Sequence, residues 1–459
     1  MKSIKMKKSV AAVLLAAGVI TVSLVPQAAS GKGSSQNSKP LAKNVILMIS
    51  DGCGYNEIRA TDYYQYGKTG TQIYEKFPFS VGMSTYSYGG SYDTNRAWND
   101  FNYVMNNPTD SAAAATAMST GIKSYNAAIG VDINGQNIKH ISEDFEDQGK
   151  STGVVTSVEF SHATPAGFVA HNVSRNNYSD IARDMIISSR ADVIMGAGNP
   201  AFDDNGNIRT EIKDSYYNYV GGKDIWNKLV SGTLTETADA DGDGKSDSWT
   251  LIQSKEEFVN LAEGETPHRV LGVPQVYTTL QQARGGDNKA DAFKIPMNDN
   301  VPELAEMSKA ALNVLDNNEN GFFLMIEGGA VDWAGHANQG GRLIEEEVAF
   351  NKAVEAVDAW VQKNSNWGET VLIVTGDHET GYLTGCGSNP SWNYIANNGA
   401  GNMPGLQWNS GDHTNSIIPL FAKGDAARLL KDYADEADVT REKYIDNTEI
   451  AKIIRNIIK

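Results

Sequence analysis

Five short apolar runs constrain this chain most: Asn44 to Ser50, Gly153 to Val158, Asp192 to Gly196, Phe322 to Ile326 and Val371 to Thr375. Each is strand-like by length and β-branched content. Longer amphipathic stretches lie between them. Tyr178 to Arg190, Val301 to Leu315, Gly341 to Lys363 and Thr448 to Ile458 carry apolar residues at helical spacing, with Pro302 placed for a first helical turn. Strands alternating with helices predict an α/β fold with a doubly wound, mostly parallel central sheet and helices on both faces. Two regions break the rhythm, about 201–300 and about 385–412, the second rich in Gly, Asn, Trp and Pro. Both read as insertions in a catalytic domain spanning 41–459, because loops that long are usually functional or form a small subdomain. A hydrophobic content of 41% allows a large core, and no internal repeat is present.

The first thirty residues have the pattern of an export signal. Lys2, Lys5, Lys7 and Lys8 precede an apolar run from Val10 to Val25, and small residues follow at Ala28 and Ser30. A membrane anchor is the alternative, but Thr21 and Ser23 interrupt the run and it is short for a span. Residues 31–40 have the Gly, Ser, Lys and Asn composition of a flexible leader. The expected location is therefore secreted, periplasmic or extracellular, with no membrane attachment after cleavage. A formal charge of −17 argues against nucleic acid as a specific partner, so an anionic substrate would need local positive charge from metal ions or an arginine. Only Cys53 and Cys386 are present, and an exported protein could oxidise them as one pair.

In open parallel sheets ligands bind beyond the carboxyl ends of the strands. Asn44 to Ser50 delivers Asp51, Phe322 to Ile326 delivers Glu327, and Val371 to Gly376 delivers Asp377 with His378. One acid at a strand end is often a helix cap, whereas three converging on one edge point to a site. Asp332 with His336 four residues on, in EGGAVDWAGH, and His413 in GDHTNS add metal-ligand chemistry. Carboxylates with imidazoles suit zinc, and sets made only of oxygens suit magnesium. Asp110 and Ser111 open DSAAAATAMSTG, which predicts a helix starting at Ser111. Unpaired N–H groups and the helix dipole there favour a phosphoryl oxygen and an ionised hydroxyl; a plain N-cap is the alternative.

The strings DSAAAATAMSTG, HATPAGFVAHNVSR, EGGAVDWAGH, TGDHET and GDHT, in that order, resemble the alkaline phosphatase family from about Asn44 to the C-terminus. The resemblance implies hydrolysis of phosphate monoesters through a phosphoserine intermediate, with an alkaline pH optimum. It implies Ser111 as nucleophile, Arg175 as a clamp on two phosphate oxygens and Asp110 as the residue that orients Arg175. One zinc would be held by Asp332, His336 and His413, and a second by Asp51, Asp377 and His378. A third ion, magnesium in the best-known members, would take Asp51, Thr164 and Glu327. Some members carry an aspartate and a lysine where this chain has His162 and Trp333, which leaves the third ion's identity open and predicts weaker phosphate binding. Cys53 falls near the second zinc, where a thiolate could bind metal, and reads rather as a buried small residue. The resemblance is also the sole ground for expecting a homodimer.

Outside these strings, DADGDGKSD places Asp239, Asp241, Asp243 and Asp247 at the spacing of a calcium loop, with Gly244 at the sharp turn. Thr250 stands where such a loop wants a bidentate Glu, and an acidic turn without metal is the alternative. Three rival functions remain: cleavage of phosphodiesters or sulfates, a Ser-His-Asp acyl hydrolase, and a phosphate- or metal-binding protein without turnover. The acyl hydrolase lacks the Gly-x-Ser-x-Gly elbow, and a binder has no use for Ser111.

Overall fold

A computed structural model of the chain describes residues 40–459. The expected export signal and all but the last residue of the leader lie outside the described residues. The central sheet has eleven strands: β1 Asn44–Ser50, β2 Phe79–Ser84, β3 Ser151–Glu159, β4 Val193–Ala197, β5 Thr250–Ile252, β6 Val270–Gly272, β7 Phe322–Gly328, β8 Thr370–Thr375, β9 Ile418–Lys423, β10 Glu436–Asp438 and β11 Glu442–Asp446. Their order across the sheet is β10-β11-β2-β9-β8-β1-β7-β3-β4-β6-β5. Seven neighbouring pairs are parallel, while β9 runs against β2 and β8, and β10 against β11. The sheet is thus mixed but mostly parallel.

The apolar runs are continuous because the inner strands are buried on both sides. Along β1, Val45, Leu47 and Ile49 join one core, and Ile46 and Met48 join the other, as the two-residue period of a strand requires. Each such side chain contributes about 2 kcal/mol on leaving water. The first core is closed by helices α2 Ser111–Thr120, α3 Ala163–Val169 and α7 Glu449–Ile457. The second is closed by α1 Tyr55–Tyr66, α4 Leu304–Leu315, α5 Ala330–His336 and α6 Gly340–Asn364. Among the described residues no helix is long and apolar enough to cross a membrane.

Three details differ from the sequence expectation. The 201–300 region is continuous with the main fold, because β5 and β6 extend the same sheet at its edge. Helix α4 starts at Leu304 rather than around Pro302, since the Glu306 carboxylate accepts from the Glu303 N–H (2.8 Å) and fixes the first turn there. The stretch from Tyr178 is an α-helix only to Arg183 and then widens into one π-helical segment, Asp184–Ser188. The two cysteines do not pair. Cys53 is buried just ahead of α1, whereas Cys386 is exposed just after the strand Leu383–Gly385, which pairs with Leu406–Trp408.

Register carries the acids to one place. Ile49 of β1 pairs with Glu327 of β7 on one side and with Thr375 of β8 on the other. Asp51, Glu327 and Asp377 therefore emerge at the same carboxyl edge of three adjacent parallel strands.

Candidate active site

The nucleophile candidate sits at a helix start that its own neighbour builds. Asp110 caps α2 by accepting from the Ala113 N–H (2.9 Å), which leaves Ser111 as the first helical residue. The alanines after it let α3 come close: a Cβ on Gly167 would lie 2.6 Å from the Ala115 Cβ. The second Asp110 oxygen accepts from the Ala127 N–H (2.9 Å) and from Arg175 Nη1 (3.1 Å). One carboxylate thus fixes the helix, a loop and the guanidinium. Burial opposes the Arg175 charge, but Asp110 secures it. Arg175 Nη2 donates to His162 Nε2 (3.2 Å).

Asp332 and His336, four residues apart, share one face of α5. His413 reaches them from a two-residue ribbon, His413–Thr414 against Glu379–Thr380. Asp332 Oδ1 lies 3.5 Å from His336 Nε2 and 3.4 Å from His413 Nε2. His336 Nδ1 is 2.8 Å from the Gly411 carbonyl, and His413 Nδ1 is 2.8 Å from the Thr109 carbonyl. A carbonyl only accepts, so both Nδ1 atoms carry protons, and as neutral rings the two residues turn Nε2 lone pairs toward each other across 2.9 Å. That arrangement demands a positive charge between them. Burial works against protonation of His413, yet Asp332 pushes its pKa up to about 9, which expresses the same demand.

The second group gathers Asp51, Asp377 and His378, all fully buried. His378 Nε2 lies 3.1 Å from Asp377 Oδ2, 3.6 Å from Asp51 Oδ1 and 3.2 Å from Ser111 Oγ. Asp51 also belongs to a third group with Glu327 and His162, and the Thr164 hydroxyl faces Glu327. Both Asp51 oxygens, Asp377 Oδ2, Glu327 Oε1 and Thr164 Oγ1 are buried without a protein partner. Unpaired buried oxygens at this density are costly, and divalent cations satisfy them. Burial, then Asp377, Asp332 and Glu327, drives the Asp51 pKa well up; burial likewise pushes Asp377 to about 6 and Glu327 to about 7. The residues present fit metal ions.

His162 is near the third group but offers it no lone pair. Its Nε2 accepts from Arg175, so in the neutral ring Nδ1 carries the proton; burial, then Arg175, pushes its pKa down to about 3. Trp333 lies beside it, with ring centroids 6.0 Å apart. Burial, with Glu347 and Glu57, drives the Cys53 pKa well up, which disfavours a thiolate in the protein alone. The structure also brings in a residue that sequence reading passed over. Thr380 Oγ1 donates to Asp332 Oδ1 (2.6 Å) and lies 3.3 Å from His378 Nδ1. Its only sequence signal was its place two residues after His378, on the same side of an extended chain.

The acidic loop folds onto its own backbone. Asp239 accepts from the Gly242 and Gly244 amides (2.7 Å each), Asp241 from that of Asp243 (3.0 Å), Asp243 from that of Lys245 (2.8 Å) and Asp247 from that of Ala240 (2.8 Å). Asp241 and Asp247 come together with His268.

A sequence model of the family "Alkaline phosphatase" matches residues 42–403. Alkaline phosphatase 4 of Bacillus subtilis (strain 168) is 31% identical over 83% of this chain and 70% of its own length. Alkaline phosphatase of Escherichia coli (strain K12) is 33% identical over 75% of this chain and 71% of its own length. The structure of alkaline phosphatase from the Antarctic bacterium TAB5 superposes with a TM-score of 0.62 at 27% identity, covering 92% of this chain and 99% of that one. A histidine-to-aspartate mutant of TAB5 alkaline phosphatase, with Mg in its M3 site, superposes with a TM-score of 0.59 at 26% identity, over 92% of this chain and 99% of that one.

Proposed function

Since the chain belongs to the alkaline phosphatase family and so hydrolyses phosphate monoesters, we propose that it does so through Ser111 and a phosphoserine intermediate, with an alkaline optimum. The observation that carries this reading is that Ser111 Oγ stands 3.2 Å from His378 of the buried Asp51–Asp377–His378 group, while Asp110, its immediate neighbour, holds Arg175. Arg175 grips two oxygens of a dianionic phosphoryl group, and the α2 N-terminus adds its amides. Ser111 Oγ attacks phosphorus, the bond from phosphorus to the alcohol oxygen breaks, and water later releases phosphate and restores the hydroxyl. Asp332, His336 and His413 would hold one zinc, and Asp51, Asp377 and His378 another. Asp51, Glu327 and Thr164 form an oxygen set suited to magnesium. Bound ions supply positive charge that lowers the serine pKa and neutralises the leaving oxygen.

A Ser-His-Asp relay does not fit. In a relay the acid holds the proton of the nitrogen remote from serine, but Asp377 and Asp51 face the same nitrogen as Ser111. The test is phosphate release from p-nitrophenyl phosphate at alkaline pH, with and without chelator. Ser111→Ala should abolish the phosphoenzyme and most turnover with metal content near normal, and Asp51→Ala should lose metal. Equal metal loss in both variants would mean that Ser111 is misassigned. Absence of turnover in metal-replete protein would leave a phosphate-binding role, and preference for a bis-aryl ester would change the substrate.

Export through residues 1–30 rests on the charged, apolar and small-residue pattern; an extracellular product starting near residue 30 supports it. The homodimer rests on the family alone, and gel filtration decides it. Calcium at Asp239, Asp241, Asp243 and Asp247 is proposed as a stabiliser of its loop without part in the reaction. Calcium added to the metal-loaded protein should raise its melting temperature; no change counts against the site.

A further inference from the structure

We infer that Thr380 is a positioning residue that ties the two zinc ligand sets together, an inference that rests on the metal reading above. Each of the three imidazoles must present a lone pair through Nε2, which requires something to hold the proton on Nδ1. For His336 and His413 that partner is a main-chain carbonyl, of Gly411 and Thr109. For His378 it is a side chain. Thr380 Oγ1 has one proton, and its 2.6 Å contact with Asp332 Oδ1 uses it, because an ionised carboxylate only accepts. Toward His378 Nδ1, at 3.3 Å, the same oxygen can then only accept, so Nδ1 carries the proton and Nε2 faces Asp377, Asp51 and Ser111 with its lone pair.

One hydroxyl therefore orients a carboxylate of the first set and an imidazole of the second. The surroundings are shaped around it. Thr380 is fully buried on the ribbon with His413, and its N–H donates to the Gly52 carbonyl (3.0 Å). A Cβ on Gly52 would come within 2.8 Å of Thr380 Oγ1, and one on Gly335 within 3.0 Å of Thr380 Cγ2. Those two glycines, beside Asp51 and His336, leave the room that the threonine occupies.

The test follows zinc leaving the loaded full-length enzyme for the chelating dye 4-(2-pyridylazo)resorcinol. Thr380→Val keeps the shape and removes the hydroxyl; Thr380→Ala removes it with a different packing change; Thr380→Ser keeps it. Loss of a partner behind a metal ligand weakens binding by roughly tenfold or more. Both zinc equivalents should therefore leave Val and Ala variants at least about tenfold faster than wild type, while Ser stays close to wild type. After complete chelation, all four proteins should melt together. Wild-type release rates in Val and Ala, or chelated variants that melt well below chelated wild type while Ser does not rescue release, overturn the inference and leave the metal reading intact. A wild-type protein that takes up no zinc brings down both.

Discussion

At the scale of single residues, the guanidinium of Arg175 is held at both ends, by Asp110 on Nη1 and by His162 on Nη2. The second contact uses the only lone pair His162 has, which withdraws that ring from the nearby group of Asp51, Glu327 and Thr164. An aspartate there has oxygens to spare. His162→Asp is expected to raise magnesium retention about tenfold, read by metal analysis after dialysis against graded free magnesium. Unchanged retention would show that position 162 does not address the third ion. Such residue types and their order were readable in the strings themselves, because Asp51, Glu327, Asp377 and His378 each follow an apolar run. Proton direction was not readable: which nitrogen of His378 is free depends on Thr380, and that is a fact of three-dimensional distance.

At the scale of elements, α6 carries an uneven distribution of charge. Glu345 takes both nearby arginines, Arg284 at 2.8 Å and Arg342 at 3.5 Å. Glu346 is buried with Oε1 unpartnered, and burial pushes its pKa up to about 8 from an ordinary 4.5, with Arg284 opposing too weakly. The folded protein therefore holds this proton more tightly than the unfolded chain does, so the residue is neutral in its effect at low pH and destabilises progressively as pH rises from about 4.5 to about 8. Glu346→Gln should leave the melting temperature near wild type at pH 4.5 and raise it by a few degrees at pH 8.5, measured on the metal-loaded protein. An equal shift at both pH values would contradict the assignment. Strands were legible where both faces are covered: β1 and β7 are unbroken apolar runs. They were not where the pattern is thin, because β2 is interrupted by Gly82, β9 contains Pro419, and β5 and β6 have three residues each. Those strands exist because a neighbour supplies their hydrogen bonds, which is a tertiary cause.

At the scale of the whole molecule, two cores hold one sheet edge rigid, and at that edge four carboxylates, Asp51, Glu327, Asp332 and Asp377, are buried together. Folding brings their charges close, and bound cations offset that repulsion. Ions held at about 1,000 times their dissociation constant add about 4 kcal/mol per site to stability. Chelation should accordingly lower the melting temperature markedly, seen by calorimetry, and restored zinc and magnesium should reverse it. A melting temperature indifferent to chelator would mean that the acids are balanced by protons alone.

The groups around the proposed site come from almost the full length of the chain, from Asp51 beside β1 to His413 just before β9. A nascent chain delivered only as far as β8 still lacks Asp377, His378 and His413, so both proposed zinc ligand sets are incomplete in it. Both sets are completed by one stretch of chain, from Asp377 to His413.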